Sequence, residues 1–284
     1  MRRVYINILC MTIWFSSYVI WNREHVSGAR TRMKENTIDA VAAALKSYDG
    51  CEFDVRLTRD GELVLHHNSV YKGRPIWNQD RHDMRGVDGF GDLLKDGRMN
   101  KGVNEEDKTL WIELKEGSRR GFRRDDDYIK DTAEAVRFAL KESALEKNNI
   151  RLISFQPLLL RPIRGFKRLP IVPFTYGAYD SGIRHRTPRT YLSGLTPLRT
   201  HIENARERGF AGLLFSKMYL KGPLSVIQPS INDIIALAGP KFILGTEAAT
   251  REEEMAFRKL VVITDHRGKR TGKGPMQLIC HRGL

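Results

Sequence analysis

Between Thr37 and Asn68 the side-chain period of the chain changes once, from helical to extended, and that change limits the folds open to it. Thr37 can cap a helix in which Ile38, Val41, Ala42 and Leu45 recur at helical spacing, with Gly50 expected to end it. The run Cys51 to Leu57 then alternates, so that Glu52 and Asp54 share one side of a strand while Phe53 and Val55 share the other. Asp60-Gly61 reads as a hairpin turn, and Leu63-Val64-Leu65 leads back to His66-His67-Asn68. Neighbouring residues on a strand face opposite ways, so one of the two imidazoles can share the side of the carboxylates.

Two acids on one strand face repel each other and lose hydration, which is tolerable where they end in water or hold a cation. Oxygen ligands suit a hard divalent ion such as magnesium or calcium. Further on, Thr109 to Lys115 is an apolar run of buried-strand type in which Glu113 and Lys115 also share a face. Taken alone, that spacing reads as an ordinary ion pair.

The rest of the chain alternates helix and strand. Asp127 to Lys147 is an amphipathic helix, Arg151 to Phe155 a strand, Pro157 to Lys167 a short helix and Leu169 to Tyr176 a strand. Leu195 to Gly209 is a helix, Phe210 to Phe215 a strand, Ser230 to Ala238 a helix and Lys241 to Gly245 a strand. Thr250 to Leu260 and Val261 to Asp265 complete the series as helix and strand. This alternation implies a parallel sheet, and seven of its core strands can be counted. Residues 68 to 107 read as a polar loop with a short helix near Phe90 to Leu94. Gly177 to Gly194, with Arg184, His185, Arg186 and Arg189, reads as a basic loop, and His82, His185, His201 and His266 as surface residues.

A length of 284 residues, 41% of them hydrophobic, suffices for one large domain with a buried core. A net charge of +14 favours anionic partners, whether phosphate esters, anionic membranes or nucleic acid. The Lys and Arg residues are spread along the chain without a recognised nucleic-acid module, so no nucleic-acid partner is expected. Cys10, Cys51 and Cys280 lie too far apart to suggest a zinc site or a disulfide framework.

Several motifs in fixed order resemble those of the glycerophosphodiester phosphodiesterase family. They are Glu35-Asn36-Thr37, Glu52-Phe53-Asp54-Val55, Thr58-Arg59-Asp60-Gly61 with His67, Trp111 to Lys115, Ser154-Phe155 with Pro157, and Ile263-Thr264-Asp265. The resemblance spans roughly residues 35 to 265. It implies an α/β fold, a (β/α)8 TIM barrel of the phospholipase-C-like phosphodiesterase type, that hydrolyses glycerophosphodiesters to glycerol 3-phosphate and an alcohol. By that resemblance Glu52, Asp54 and Glu113 bind Ca2+ or Mg2+, and Lys115 and an arginine meet the phosphate. His67 would protonate the leaving oxygen while a second histidine takes the proton of the nucleophile. Asn68 stands where the family usually has Asp.

The family's first strand ordinarily ends in His-Arg-Gly, and three segments of this chain compete for that place. His25 stands ten residues before Glu35, but Val26 follows it instead of an arginine. Alternatively Val19 to Arg23 is the strand, which leaves Arg23 for the phosphate but puts Asn22, which cannot shuttle a proton near neutral pH, in place of the histidine. The third candidate is the C-terminal run Met276 to Leu284, which carries His281-Arg282-Gly283 and reads as the first strand in permuted order, as the start of a truncated second domain, or as accidental. His25 and Arg23 are the working assignment, with an N-terminal segment 1–24, a barrel 25–265 and a basic C-terminal tail 266–284. Residues 4 to 21, apolar and preceded by Arg2-Arg3, read either as a membrane anchor or signal, giving a membrane-associated or exported protein, or as a barrel strand of a cytoplasmic one. The damaged first motif also admits a catalytically impaired, membrane-associated relative that binds phospholipid or phosphate.

Overall fold

The computed structural model describes residues 33–117, 125–173, 196–221, 230–248, 251–264 and 277–280. They fall within one compact unit, Met33–Leu284.

Thr37 Oγ1 accepts a hydrogen bond from the Ala40 amide at 3.2 Å and so caps the helix Ile38–Ser47. The helix ends two residues earlier than the sequence suggested, and Gly50 opens strand β1 (Gly50–Leu57). The reason is space: a Cβ at position 50 would lie 2.3 Å from the Thr109 carbonyl oxygen and 2.9 Å from Ile279 Cδ1. The hairpin partner of β1 is β2 (Leu63–Leu65), antiparallel to it with Val55 opposite Leu65. Between the hairpin and the next barrel strand, Val70–Tyr71 (β3) pairs with Arg74–Pro75 (β4), and helix Phe90–Lys95 follows. This stretch is better ordered than a polar loop because Val64, Ile76, Met84 and Val87 bury together beneath it.

The barrel strands are β1, β5 (Thr109–Leu114), β6 (Ile150–Ser154), β7 (Lys167–Val172), β8 (Gly212–Phe215), β9 (Ile243–Ala248), β10 (Val261–Thr264) and β11 (Gln277–Cys280). Each is parallel to the next, and β11 returns to pair in parallel with β1, so the ring closes. The helices Asp125–Glu142, Leu198–Glu207 and Ile231–Ala238 lie between strands in the chain, as a (β/α)8 barrel requires.

The alternation read from the sequence sorts the side chains into two cores. Cys51, Phe53, Val55 and Leu57 of β1 bury outward with Val41, Ala44 and Leu45 of the first helix. Trp111, Ile153, Leu169, Leu214 and Ile279 fill the inside of the ring.

The closing strand is one of the candidates that the sequence leaves open, and not the N-terminal one taken as the working assignment. Residues 4–21, His25 and Arg23 lie outside the described residues, but the place in the ring between β10 and β1 is taken by Gln277–Cys280. Four residues assigned to a C-terminal tail are therefore part of the barrel. A ring of parallel strands can be cut between any two neighbours, and this chain supplies last the strand that the resemblance leads one to expect first. The apolar run Leu278-Ile279-Cys280 is short enough to look accidental in the sequence, and its two sets of neighbours decide for it among the competing segments. His201, expected at the surface, is half buried, with its Nε2 3.2 Å from the Tyr219 hydroxyl. No helix among the described residues is long and apolar enough to cross a membrane.

Candidate active site

The inward faces of β1 and β5 carry the charge. Glu52, Asp54 and Arg56 alternate along β1, and Asp54 stands directly opposite Glu113 in the parallel register. Glu52, Asp54 and Glu113 are all buried, and each offers a carboxylate oxygen within 4.8 Å of the others. Ordinary strand geometry produces this convergence: a two-residue period on β1 and one register step to β5 bring three acids to one spot.

Lys115, two residues beyond Glu113, turns its ammonium into the same cluster. Its Nζ lies 2.9 Å from Asp54 Oδ1 and 2.5 Å from Glu113 Oε1. Burial by itself would lower the pKa of this lysine, but the carboxylates of Glu113, Asp54 and Glu52 outweigh it and hold the value above that of an ordinary lysine. The ammonium also faces the Phe155 ring, 5.9 Å from its centroid. The pair that reads as a surface contact in the sequence is thus buried and shared between two strands.

Asn36 completes this side of the site, although in the sequence it stands out only as a member of a motif. Its Nδ2 donates to Asp54 Oδ2 at 2.9 Å, and its Oδ1 accepts from the Asp54 amide at 2.8 Å. To do so the residue adopts φ 55°, in the left-handed region that Asn tolerates better than most side chains.

The two histidines follow the end of β2. His66 Nδ1 lies 2.9 Å from the Asn68 carbonyl oxygen, and its ring meets Tyr71 edge-on. His67 Nδ1 lies 3.2 Å from Asn68 Oδ1. An amide oxygen can only accept, so in this arrangement Nδ1 carries the ring proton and Nε2 is left as the basic nitrogen. Arg56 donates to the His67 carbonyl oxygen from Nε at 3.0 Å and Nη2 at 2.7 Å, and to the Glu116 carbonyl oxygen from Nη1 at 2.6 Å. Arg56 is a second residue the sequence reading passed over, although it shares the two-residue period of Glu52 and Asp54.

Of the predicted site residues, the structure brings Glu52, Asp54, Glu113 and Lys115 together and sets His67 on the adjoining hairpin. His25 and Arg23, like His281 and Arg282, lie outside the described residues. A donor set of three clustered carboxylates fits a hard divalent cation, since it offers only oxygen ligands. A second cluster, Asp80, His82 and Asp83, is largely exposed.

Comparison with known proteins agrees with the motifs. Residues 27–157 match the model of the Glycerophosphoryl diester phosphodiesterase family. A search of curated proteins returns no match. Among solved structures, a glycerophosphodiester phosphodiesterase from Thermotoga maritima superposes with a TM-score of 0.56 at 16% identity, covering 88% of this chain and 89% of that one. One from Parabacteroides distasonis gives 0.56 at 19% identity, covering 83% and 88%. A phosphodiesterase from Oleispira antarctica, solved in complex with the product sn-glycerol-3-phosphate, gives 0.54 at 13% identity, covering 81% and 87%. At these identities the structural likenesses establish the barrel.

Proposed function

We propose that this chain, which carries the glycerophosphoryl diester phosphodiesterase pattern over residues 27–157 on a closed barrel, is a metal-dependent hydrolase of glycerophosphodiesters. The observation that carries the reading is the convergence of Glu52, Asp54 and Glu113, buried and within 4.8 Å of one another, with the Lys115 ammonium wedged among them. Active sites of (β/α)8 barrels lie at the carboxyl ends of the strands, and Glu113 and Lys115 stand at that end of β5.

In this reading Glu52, Asp54 and Glu113 would hold Mg2+ or Ca2+, which would supply charge neutralisation at the phosphate and a lowered pKa for an oxygen nucleophile. Lys115, positively charged at neutral pH, balances the charge that grows on the phosphoryl group as the new bond forms. Asn36 keeps Asp54 turned toward the cluster. His67, once protonated at Nε2, donates that proton to the leaving oxygen and returns to the neutral ring, with its Nδ1 proton kept on Asn68 Oδ1 throughout.

The proton of the nucleophile we assign to His281, with Arg282 as phosphate ligand, in place of His25 and Arg23. What supports this assignment is the register of β11: Cys280 pairs with Cys51, the residue before Glu52, and on its other side with Thr264, the residue before Asp265. His281-Arg282-Gly283 comes next in the sequence. The oxygen-only donor set suits either cation, and the substrate class is a diester that releases glycerol 3-phosphate and an alcohol.

Assays with bis-p-nitrophenyl phosphate and glycerophosphocholine in added Mg2+ or Ca2+ test the reading. Glu52→Ala and His67→Ala are each expected to lower turnover by ~10²-fold or more, and His281→Ala likewise, while His25→Ala leaves it unchanged. Metal binding without turnover by the unaltered chain would make it a phosphate-binding relative instead.

A further inference from the structure

The strongest unassigned feature of the site is a buried cation that faces backbone on two sides. Arg56 is 9% exposed and stands on the same inward face of β1 as Glu52 and Asp54. Next to it, the ladder of β1 ends in two rungs: the His66 amide donates to the Asp54 carbonyl oxygen at 3.1 Å, and the Lys115 amide to the Val55 carbonyl oxygen at 3.1 Å. Immediately past these rungs come His67 on one side and Glu116 on the other. The Arg56 guanidinium reaches both carbonyls, with two donors on His67 and one on Glu116.

We propose that Arg56 is a positioning residue for the hydrolysis described above, setting the His67 imidazole and the Lys115 ammonium at a fixed separation from the carboxylates on its own strand. The inference rests on the assignment of His67 as proton donor. Its physical basis is the shape of the group. A guanidinium is planar with five donors in fixed directions, so bonding one carbonyl along one edge and a second through its remaining arm fixes the two carbonyls relative to each other. A lysine ammonium is a point donor on a flexible stem and cannot hold two carbonyls in one plane. A buried charge is also expensive, and a position that needed only filling would take an apolar side chain. Arg56 does not touch the reacting atoms in this scheme; it acts through the two backbone segments that carry the groups which do.

The test uses the full chain with Arg56→Lys and Arg56→Gln, alone and combined with His67→Ala. Glycerophosphocholine turnover in Mg2+ is expected to fall ~30- to 100-fold in kcat for Arg56→Lys with KM changed less than ~threefold, because a displacement of about 1 Å in a catalytic group costs about 10²-fold. The Kd for Mg2+ alone, measured by titration calorimetry, should change by less than ~threefold, and in the His67→Ala background Arg56→Lys should lower kcat by clearly less than it does with His67 present, the remainder being the share that acts through Lys115. An unchanged kcat in Arg56→Lys overturns the proposal, as does a loss that adds in full to that of His67→Ala. So does a loss of Mg2+ affinity that parallels the loss of kcat, which would make Arg56 a support of the carboxylates. If the unaltered chain turns over no diester, the hydrolytic reading falls separately, and hydrogen exchange then reads the clamp. Amides 66–68 and 115–117 should exchange ~tenfold faster in Arg56→Gln, or in Arg56→Lys where Arg56→Gln does not fold. Unchanged exchange rejects the clamp.

Discussion

Asn36 and Asp54 grip each other at both ends of one side-chain amide: Nδ2 donates to Oδ2 at 2.9 Å, and Oδ1 accepts from the Asp54 backbone amide at 2.8 Å. The carboxylate is thereby fixed in rotation as well as in place. Asn36→Gly keeps a residue that tolerates φ 55° but removes both bonds, so the variant should fold while its Kd for Mg2+ rises ~10- to 100-fold. Titration calorimetry with the metal alone checks this, and an unchanged Kd would remove Asn36 from the site.

Lys115 shares its ammonium between Asp54 and Glu113, with its side chain only 13% exposed. Lys115→Met leaves those acids facing each other and should destabilise the metal-free chain by about 3–5 kcal/mol. Added Mg2+ should recover a larger share of the lost stability in the variant than it adds to the unaltered chain. Because the folded-state pKa of Lys115 is raised, its contribution is fully present below the unfolded lysine value of about 10.4 and is lost as pH rises through the folded value. The difference in Tm between the two proteins should therefore be flat from about pH 7 to about pH 10 and shrink above that. Thermal unfolding across this range, with and without metal, measures both effects.

His66 behaves in the opposite sense. Burial lowers its pKa, the hydrogen bond with the Asn68 carbonyl opposes that, and the charges of Arg56 and Lys34 lower it further. A lowered histidine pKa favours the neutral ring in the folded state. Its contribution is fully present above the unfolded value of about 6.5 and is lost as pH falls below it through the folded value. His66→Gln should flatten the loss of stability on the acid side of about pH 6.5, read from denaturant midpoints at a series of pH values.

Closure of the ring depends on a four-residue strand: Gln277 to Cys280 all pair with β10, and Ile279 and Cys280 also pair with Gly50 and Cys51 of β1. Ile279 is fully buried among Trp111, Ile153, Leu169 and Leu214. Ile279→Ala should cost about 2–5 kcal/mol, and deletion of residues 276–284 should abolish cooperative unfolding, since β1 and β10 would both become open edges. A deletion variant that unfolds as sharply as the full chain would show that the ring does not need this strand.

The parts of the fold that were legible in the sequence are those set by local period and turn chemistry. The alternation in Cys51–Leu57, the Asp60-Gly61 turn and the helix capped by Thr37 depend on neighbours a few residues away, and each is found where the spacing put it. The same period placed Glu52 with Asp54 and Glu113 with Lys115. What it could not supply was the register between β1 and β5, which sets Asp54 opposite Glu113 and turns two separate pairs into one cluster. Nor could it distinguish Arg56 and Asn36 from ordinary polar residues, since their roles lie in bonds to partners 11 to 60 positions away.

The alternation of strand and helix, the side of the strand on which each acid lies and the chemistry those acids can support are all written in local sequence, because side-chain direction along a strand follows from backbone geometry within one segment. Which segment closes the ring against β1 depends on long-range pairing. Several short apolar runs could fill one place in a closed ring, and Gln277–Cys280 takes it by pairing with Gly50 and Cys51 on one side and with Val261 to Thr264 on the other. Such pairing joins strands more than 200 residues apart, a distance across which no local periodicity carries information.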